Sequence, residues 1–134
     1  WYIKAHYKNI SKAAALAKKN DIVLVERSPL SSLIFTLVYL KRSRNQVGKK
    51  VAFFKKTLRD IKKETNKKIV FIFLSNTKRA LPRLRSRRYL THLADKVFVL
   101  GLSKEIKSQL LKLKKEGLIN LFIDPKIDIL LKEL

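Results

Sequence analysis

The chain contains no cysteine and no methionine, and it has only three glycines and three prolines among its 134 residues. Without cysteine it can form neither a disulfide nor a thiolate metal site, and it has no thiol nucleophile. Its two histidines cannot build a zinc site without help from carboxylates. Gly48-Lys49-Lys50 lacks the upstream glycine and the hydroxyl residue of a phosphate-binding loop, and no such loop occurs elsewhere in the sequence. We therefore expect no metal site.

Acidic residues are scarce: 10 Asp and Glu stand against 32 Lys and Arg, which gives a formal net charge of +22. A field of this sign attracts polyanions such as nucleic acid, nucleotides, phosphate groups or an anionic membrane surface. Composition does not choose among them, and a solvated lysine-rich surface explains most of the lysines equally well. The sequence has neither a signal peptide nor an apolar run of the roughly 18 residues that span a bilayer. We expect a cytoplasmic protein with no membrane partner.

The length suits one domain with an apolar core and is too short for two, so residues 1–134 are expected to form a single domain. The first residue is Trp1. Since initiator methionine is normally removed only before a small residue, tryptophan is an improbable natural start. We interpret the sequence as a fragment or processed product of a longer chain.

Helical and strand patterns alternate along the chain. Apolar residues at helical spacing predict helices over Tyr2–Lys19, Pro29 to about Lys41, Val51–Thr65, Lys78–Arg88, Ser103–Glu116 and Ile127–Leu134. Solid apolar runs, which are typical of strands buried on both faces, predict strands over Asp21–Val25, Lys68–Leu74 and Leu118–Asp124. This alternation predicts a three-layer α/β/α domain with a parallel sheet.

Other segments are less distinctive. The polar, basic stretch Lys41–Lys50 predicts an exposed loop, and Lys96–Leu102 fits a strand as well as a helix. Ser103 is a suitable helix cap and Gly117 a suitable helix stop. Asp124 and Asp128 lie on either side of Pro125, after the last predicted strand. They would either contact a base or cap a helix, and the cap is the simpler interpretation.

Glu26-Arg27-Ser28 directly follows the first predicted strand, at the strand end where parallel sheets bind ligands. The arginine can hold a phosphate or a substrate hydroxyl with its planar fork. The glutamate can accept a hydrogen bond from a hydroxyl, or hold Mg²⁺ through water. The alternative is an ordinary ion pair at the start of a helix, with Ser28 as the cap and Pro29 as the first helical residue.

A second basic cluster follows the strand predicted over Lys68–Leu74. It contains Arg79, Arg83, Arg85, Arg87 and Arg88. Arg83 and Arg87 are four residues apart and would share one helix face. Phosphoryl transfer requires such positive charge around the phosphate oxygens. The alternatives are a solvated basic helix and a helix that lies on nucleic acid, and neither involves catalysis.

The motif ERSPLSS after an apolar strand, followed by KKIVFIFL and the arginine-rich ALPRLRSRR, resembles the thymidylate kinase and deoxynucleoside kinase family of P-loop kinases. The resemblance covers residues 2–88, and LINLFID would be the last strand of that fold. It implies a P-loop-kinase-like domain that is incomplete at its N-terminus. Pro82 departs from the pattern, because it lies where the family has an uninterrupted helix.

The resemblance also implies roles for particular residues. Glu26, Arg27 and Ser28 would bind a nucleoside or nucleotide substrate, and Arg83 and Arg87 would be catalytic arginines of a lid over the phosphates. ATP and Mg²⁺ would be the cofactors, and the missing phosphate loop would precede the first residue. The alternatives are a basic nucleic-acid-binding α/β module and a catalytically inactive kinase relative. A homodimer is a further possible assembly.

Overall fold

The computed structural model describes residues 2–26, 28–39, 44–75 and 96–126, together with Ile129 and Lys132. In chain order these residues form α1 (Tyr2–Ala17), α2 (Pro29–Tyr39), α3 (Arg44–Thr65), β1 (Val70–Phe73), α4 (Lys96–Lys115) and β2 (Asn120–Ile123). The predicted helix Lys78–Arg88 lies outside these residues. Of the predicted helix Ile127–Leu134, only Ile129 and Lys132 are described, and both are helical.

The sheet in the described part of the chain consists of β1 and β2, which pair in parallel with Val70 opposite Asn120 and Phe73 opposite Ile123. The ladder continues at both ends: Asn120 N donates to Ile69 O at 2.8 Å, and Asp124 N donates to Phe73 O at 2.9 Å. The predicted parallel relation of Lys68–Leu74 and Leu118–Asp124 is therefore confirmed. The coarser prediction, a fold that combines helices with parallel strands, is also confirmed.

The strand predicted over Asp21–Val25 is wrong. These residues form neither strand nor helix, and Leu24 is 83% exposed. The Asp21 carboxylate lies 3.4 Å from Lys67 Nζ, just before β1, yet no described backbone group hydrogen bonds to Ile22–Val25. An apolar run becomes a strand only when a neighbouring strand satisfies its backbone groups. Within the described residues no such neighbour is present.

The loop predicted over Lys41–Lys50 is also wrong from Arg44 onward, because α3 begins there. Val47 is buried at 5% exposure, one helical turn before the half-buried Val51, and it continues the apolar face that leads to Phe54. This added turn contributes enough apolar contact to override the polar composition and the single glycine of the segment.

Helix α4 is longer than the predicted Ser103–Glu116. Lys96–Leu102 is helical rather than a strand, and Ser103 lies inside the helix instead of capping it. The inward face of α4 contains four apolar residues at helical spacing: Leu102, Ile106, Leu110 and Leu113.

Gly117 ends α4, as predicted. Its φ of 68° is in the left-handed region that favours glycine. Gly117 N donates to Lys114 O at 2.9 Å and Leu118 N donates to Leu113 O at 3.1 Å, the two bonds of a Schellman motif. Leu113 and Leu118 are both buried, so the cap also directs the chain into the core on its way to β2.

The core is built around α2, which packs against α1, α3 and α4. Its buried members are Leu30, Leu33, Ile34, Phe54, Leu58, Leu110, Leu113, Leu118, Ile119 and Leu121. Phe54 is fully buried and meets the ring of Phe71 edge to face, with 6.4 Å between the ring centroids. This contact joins the helical core to the sheet.

Replacing Phe54 with alanine should lower the free energy of unfolding by about 3–5 kcal/mol, because it leaves a cavity where α3 meets the sheet. Phe53 offers a matched control: it is 58% exposed and contacts Tyr7 edge to face at 5.2 Å. Phe53→Ala should cost no more than about 1.5 kcal/mol. Urea denaturation followed by circular dichroism measures both, and equal losses would contradict this core.

Candidate anion-binding site

The carboxyl ends of β1 and β2 lie at one edge of the sheet, and a side chain connects them. Ser75 N, just after β1, donates to Asp124 Oδ1 at 2.7 Å, and Ser75 Oγ donates to Asp124 Oδ2. Asp124 has a φ of 45°, in the left-handed region that aspartate tolerates better than most residues. Asp124 therefore connects the two strand ends.

The hydrogen bonds from the Ser75 side chain and then from its backbone lower the pKa of Asp124, and the positive charge of Lys107 lowers it further. Desolvation opposes these effects and outweighs the contribution of Lys107, but not that of the hydrogen bonds. The exposed Asp124 is thus ionised at neutral pH. Lys107 belongs to α4, so at least this lysine of the helix lies near the end of β2.

Helix α4 carries a row of cations on the side away from the core. Lys104, Lys107, Lys112 and Lys115 line a shallow depression of about 410 Å³ together with Ser108 and Leu111. We call this surface the lysine face. The four lysines are exposed, and so is Leu111, at 46%. The spacing of these residues by three, four and five positions places them on the outer half of α4, away from Leu110 and Leu113.

Lysines of the lysine face form no close ion pair within the described residues, although Lys107 lies near enough to the Asp124 carboxylate to influence it. Within the described ranges, ion pairs join Lys18 to Glu64, Lys55 to Glu116 and Lys67 to Asp21, and none includes a lysine of this face. Four ammonium groups on one helix repel one another, so a bound anion would relieve that repulsion. Lys112 and Lys115 lie in the last turn of α4, where the helix dipole also favours cations.

The predicted kinase-like site is described only in part. Arg27, Arg83 and Arg87 lie outside the described residues. Glu26 is exposed and Ser28 directly precedes α2, where its carbonyl oxygen accepts a hydrogen bond from Ser31 Oγ at 2.8 Å. The predicted helix start at Pro29 is confirmed. However, Glu26 does not follow a strand of the sheet, since Asp21–Val25 is not a strand.

The sequence analysis missed the lysine face. All four of its lysines lie within the predicted helix Ser103–Glu116, where a helical projection around Leu110 and Leu113 would have placed them on the outer side. The depression between their side chains has no signal in the sequence.

No three His, Cys, Asp or Glu residues in the described part of the chain lie close enough to hold a metal ion. None of the helices in the described ranges has both the length and the hydropathy needed to cross a membrane. No family model, curated protein or solved structure matched the chain. The likeness to nucleotide kinases therefore rests on the sequence motifs alone.

Replacing Ser75 with alanine should raise the pKa of Asp124 toward its ordinary value, because the side-chain hydrogen bond is its largest stabilising contact. NMR titration of the Asp124 carboxyl carbon measures this. The folded-state pKa is lowered, so the Ser75 interaction stabilises the fold at neutral pH and is lost as the pH falls through that lowered pKa. Ser11→Ala on α1 serves as the control. An Asp124 titration that is identical in the unmodified protein and in both variants would contradict the hydrogen bond from Ser75.

Proposed function

We propose that this chain binds nucleic acid through phosphate contacts on the lysine face. The observation that supports the proposal is the grouping of Lys104, Lys107, Lys112 and Lys115 around one exposed depression, with no ion pair to any of them among the described residues. Phosphate contacts from lysine supply most of the affinity in sequence-independent nucleic-acid binding.

The dimensions of the lysine face suit a polyanion better than a single phosphate. From Lys104 to Lys115 the helix rises about 16 Å, at 1.5 Å per residue. That length spans more than one phosphate of a nucleic-acid strand and far exceeds the size of a single phosphate group. One phosphate would engage only part of this row, whereas a strand lying along α4 would meet all four lysines.

Other lysines also contribute to the net charge of +22. Exposed lysines on α1, such as Lys8 and Lys12, occupy one side of that helix at a spacing of four residues. The α4 lysines differ from them in lining a depression, and one of them, Lys107, lies near Asp124. We therefore assign the nucleic-acid contacts to α4 and treat α1 as general positive surface.

Replacing both Lys107 and Lys112 with glutamine should weaken binding of single-stranded DNA and reduce its salt dependence. With two fewer phosphate contacts, the slope of log K against log salt should become shallower by about 1.4. The matched control, Lys8→Gln with Lys12→Gln, removes the same charge from α1 and should leave the slope nearly unchanged. Fluorescence anisotropy over a range of salt concentrations measures both variants.

Equal reductions of slope in the two double variants would contradict the assignment to the lysine face. They would leave a protein whose lysines attract polyanions without a particular site. Circular dichroism of each variant establishes that α4 is intact, which matters because Lys112 lies in its last turn.

A second proposed function is that of a nucleoside or nucleoside-monophosphate kinase relative with a P-loop-like, three-layer fold. The parallel pairing of β1 and β2 supports it, since these are two of the strands that the resemblance implies. Both carry polar residues, Ser75 and Asp124, at their carboxyl ends, and the arginine-rich segment follows Ser75 in the sequence. Ligands of parallel sheets bind at that edge.

ATP and Mg²⁺ fit this second proposal poorly in the chain as given. The sequence has no phosphate-binding loop, and the described residues offer no cluster of carboxylates for a metal ion. No step of phosphoryl transfer is derived for these residues. The second proposal is therefore limited to recognition of a nucleoside or nucleotide by Glu26, Arg27 and Ser28, with Arg83 and Arg87 at the phosphates.

If the second proposal holds, Arg27→Ala and Arg83→Ala should each weaken binding of thymidine monophosphate by about ten- to a hundredfold, the loss of one charge-assisted hydrogen bond. Lys18→Ala is the control, because Lys18 forms an exposed ion pair with Glu64 at 3.8 Å and should matter little. Calorimetric titration measures all three. Equal, small losses would exclude a kinase-like substrate site at these arginines.

A further inference from the structure

A second cavity lies between α2, α3 and α4, with a volume of about 400 Å³. Its apolar wall includes Ile34 of α2 with Val47 and Val51 of α3. Ile34 and Val47 are buried, so this wall is continuous with the core. A volume of this size lies within the range of small-molecule sites, which combine apolar walls with a few polar groups.

Polar groups lie on the α3 and α4 sides of the cavity. Glu105 and Gln109 of α4 hydrogen bond to each other, with Gln109 Nε2 donating to Glu105 Oε1 at 3.0 Å. An amide and a carboxylate have more donors and acceptors than this one bond uses. Lys55 of α3 also lines the cavity and forms an ion pair with Glu116. The cavity thus combines apolar walls with groups that can hydrogen bond to the edge of a ring.

The cavity and the lysine face are neighbours, because Ser108 and Lys112 line both. We propose that the cavity accepts one unstacked nucleobase of a single-stranded nucleic acid whose phosphates lie on the lysine face. This inference rests on the proposed nucleic-acid binding and adds the substrate class. Lys112 would hold the phosphate beside the bound base, and Glu105 and Gln109 would hydrogen bond to its edge.

Single strands are favoured over duplexes by the same geometry. The bases of a duplex are paired and stacked inside the helix, and extracting one costs a few kcal/mol of stacking and pairing. A single strand presents its bases at far lower cost, so proteins that contact individual bases of this kind commonly bind single-stranded segments. A surface of lysines alone, in contrast, would contact only phosphates and would not distinguish a base-bearing strand from an abasic one.

Gly48 gives a direct test, since it lines the cavity from α3 and a Cβ added there would meet no atom within 4 Å. Gly48→Leu should place a side chain in the cavity and narrow it while leaving every lysine in place. Leucine is also a better helix former than glycine, so α3 should not be weakened. Gly101→Leu is the matched control: Gly101 lies in α4, has equally open surroundings and does not line the cavity.

The probes are a fluorescent single-stranded DNA oligomer and an abasic oligomer with the same number of phosphates. The unmodified protein should bind the base-bearing oligomer about tenfold more tightly than the abasic one. Gly48→Leu should abolish that difference by weakening only the base-bearing complex, and Gly101→Leu should preserve it. Equal affinity of the unmodified protein for the two oligomers, or an unchanged preference in Gly48→Leu, would overturn the inference.

The abasic oligomer separates the failure of this inference from the failure of the proposed function. Its binding should depend on Lys107 and Lys112, because it offers phosphates and no bases. If the lysine double variant weakens abasic binding but Gly48→Leu changes nothing, only the base-binding cavity is wrong. If neither variant affects either oligomer, the nucleic-acid function itself is assigned to the wrong surface.

Discussion

Burial of α2 among the other three described helices is the interaction on which the rest of the structure depends. Leu30, Leu33 and Ile34 are each no more than 1% exposed, and α1, α3 and α4 all pack on this short helix. Burial of one leucine or isoleucine side chain contributes about 1.5–3 kcal/mol, so this helix alone accounts for a large part of the core. Through Phe54 and Phe71 the same core supports the small parallel sheet.

The orientation of α4 follows from that packing. Because Leu110 and Leu113 are buried and packed in the core cluster, the opposite side of α4 faces outward with its lysines. Helix packing against α2 also leaves a cavity between α3 and α4, bounded by small and branched side chains and by a glycine. The lysine face and the cavity share Ser108 and Lys112 because both lie along α4. The two proposed sites, one for phosphates and one for a base, thus both depend on the packing of α4 against α2.

The sequence predicted what local periodicity and capping control, and it failed where an element depends on a partner. Gly117 and Pro29 marked a helix end and a helix start correctly, and the parallel relation of β1 and β2 was predicted from their solid apolar runs. Asp21–Val25 has the same apolar character, yet an apolar run does not reveal whether a neighbouring strand exists to pair with it. The start of α3 was missed because buried Val47 outweighs the polar residues around it. Of the candidate site, Glu26 and Ser28 were placed correctly before α2 but wrongly after a strand. The lysine face emerges only when helical spacing is combined with knowledge of the buried side of α4.

The central claim is that phosphates bind to α4 and not to the basic surface in general. NMR spectra of the lysine side-chain methylene groups, recorded as abasic single-stranded DNA is added, test it most directly. The account predicts large shifts for Lys104, Lys107, Lys112 and Lys115 that saturate together, with small shifts for Lys8 and Lys12 on α1. Shifts of similar size for lysines on all helices, growing without saturation, would contradict it.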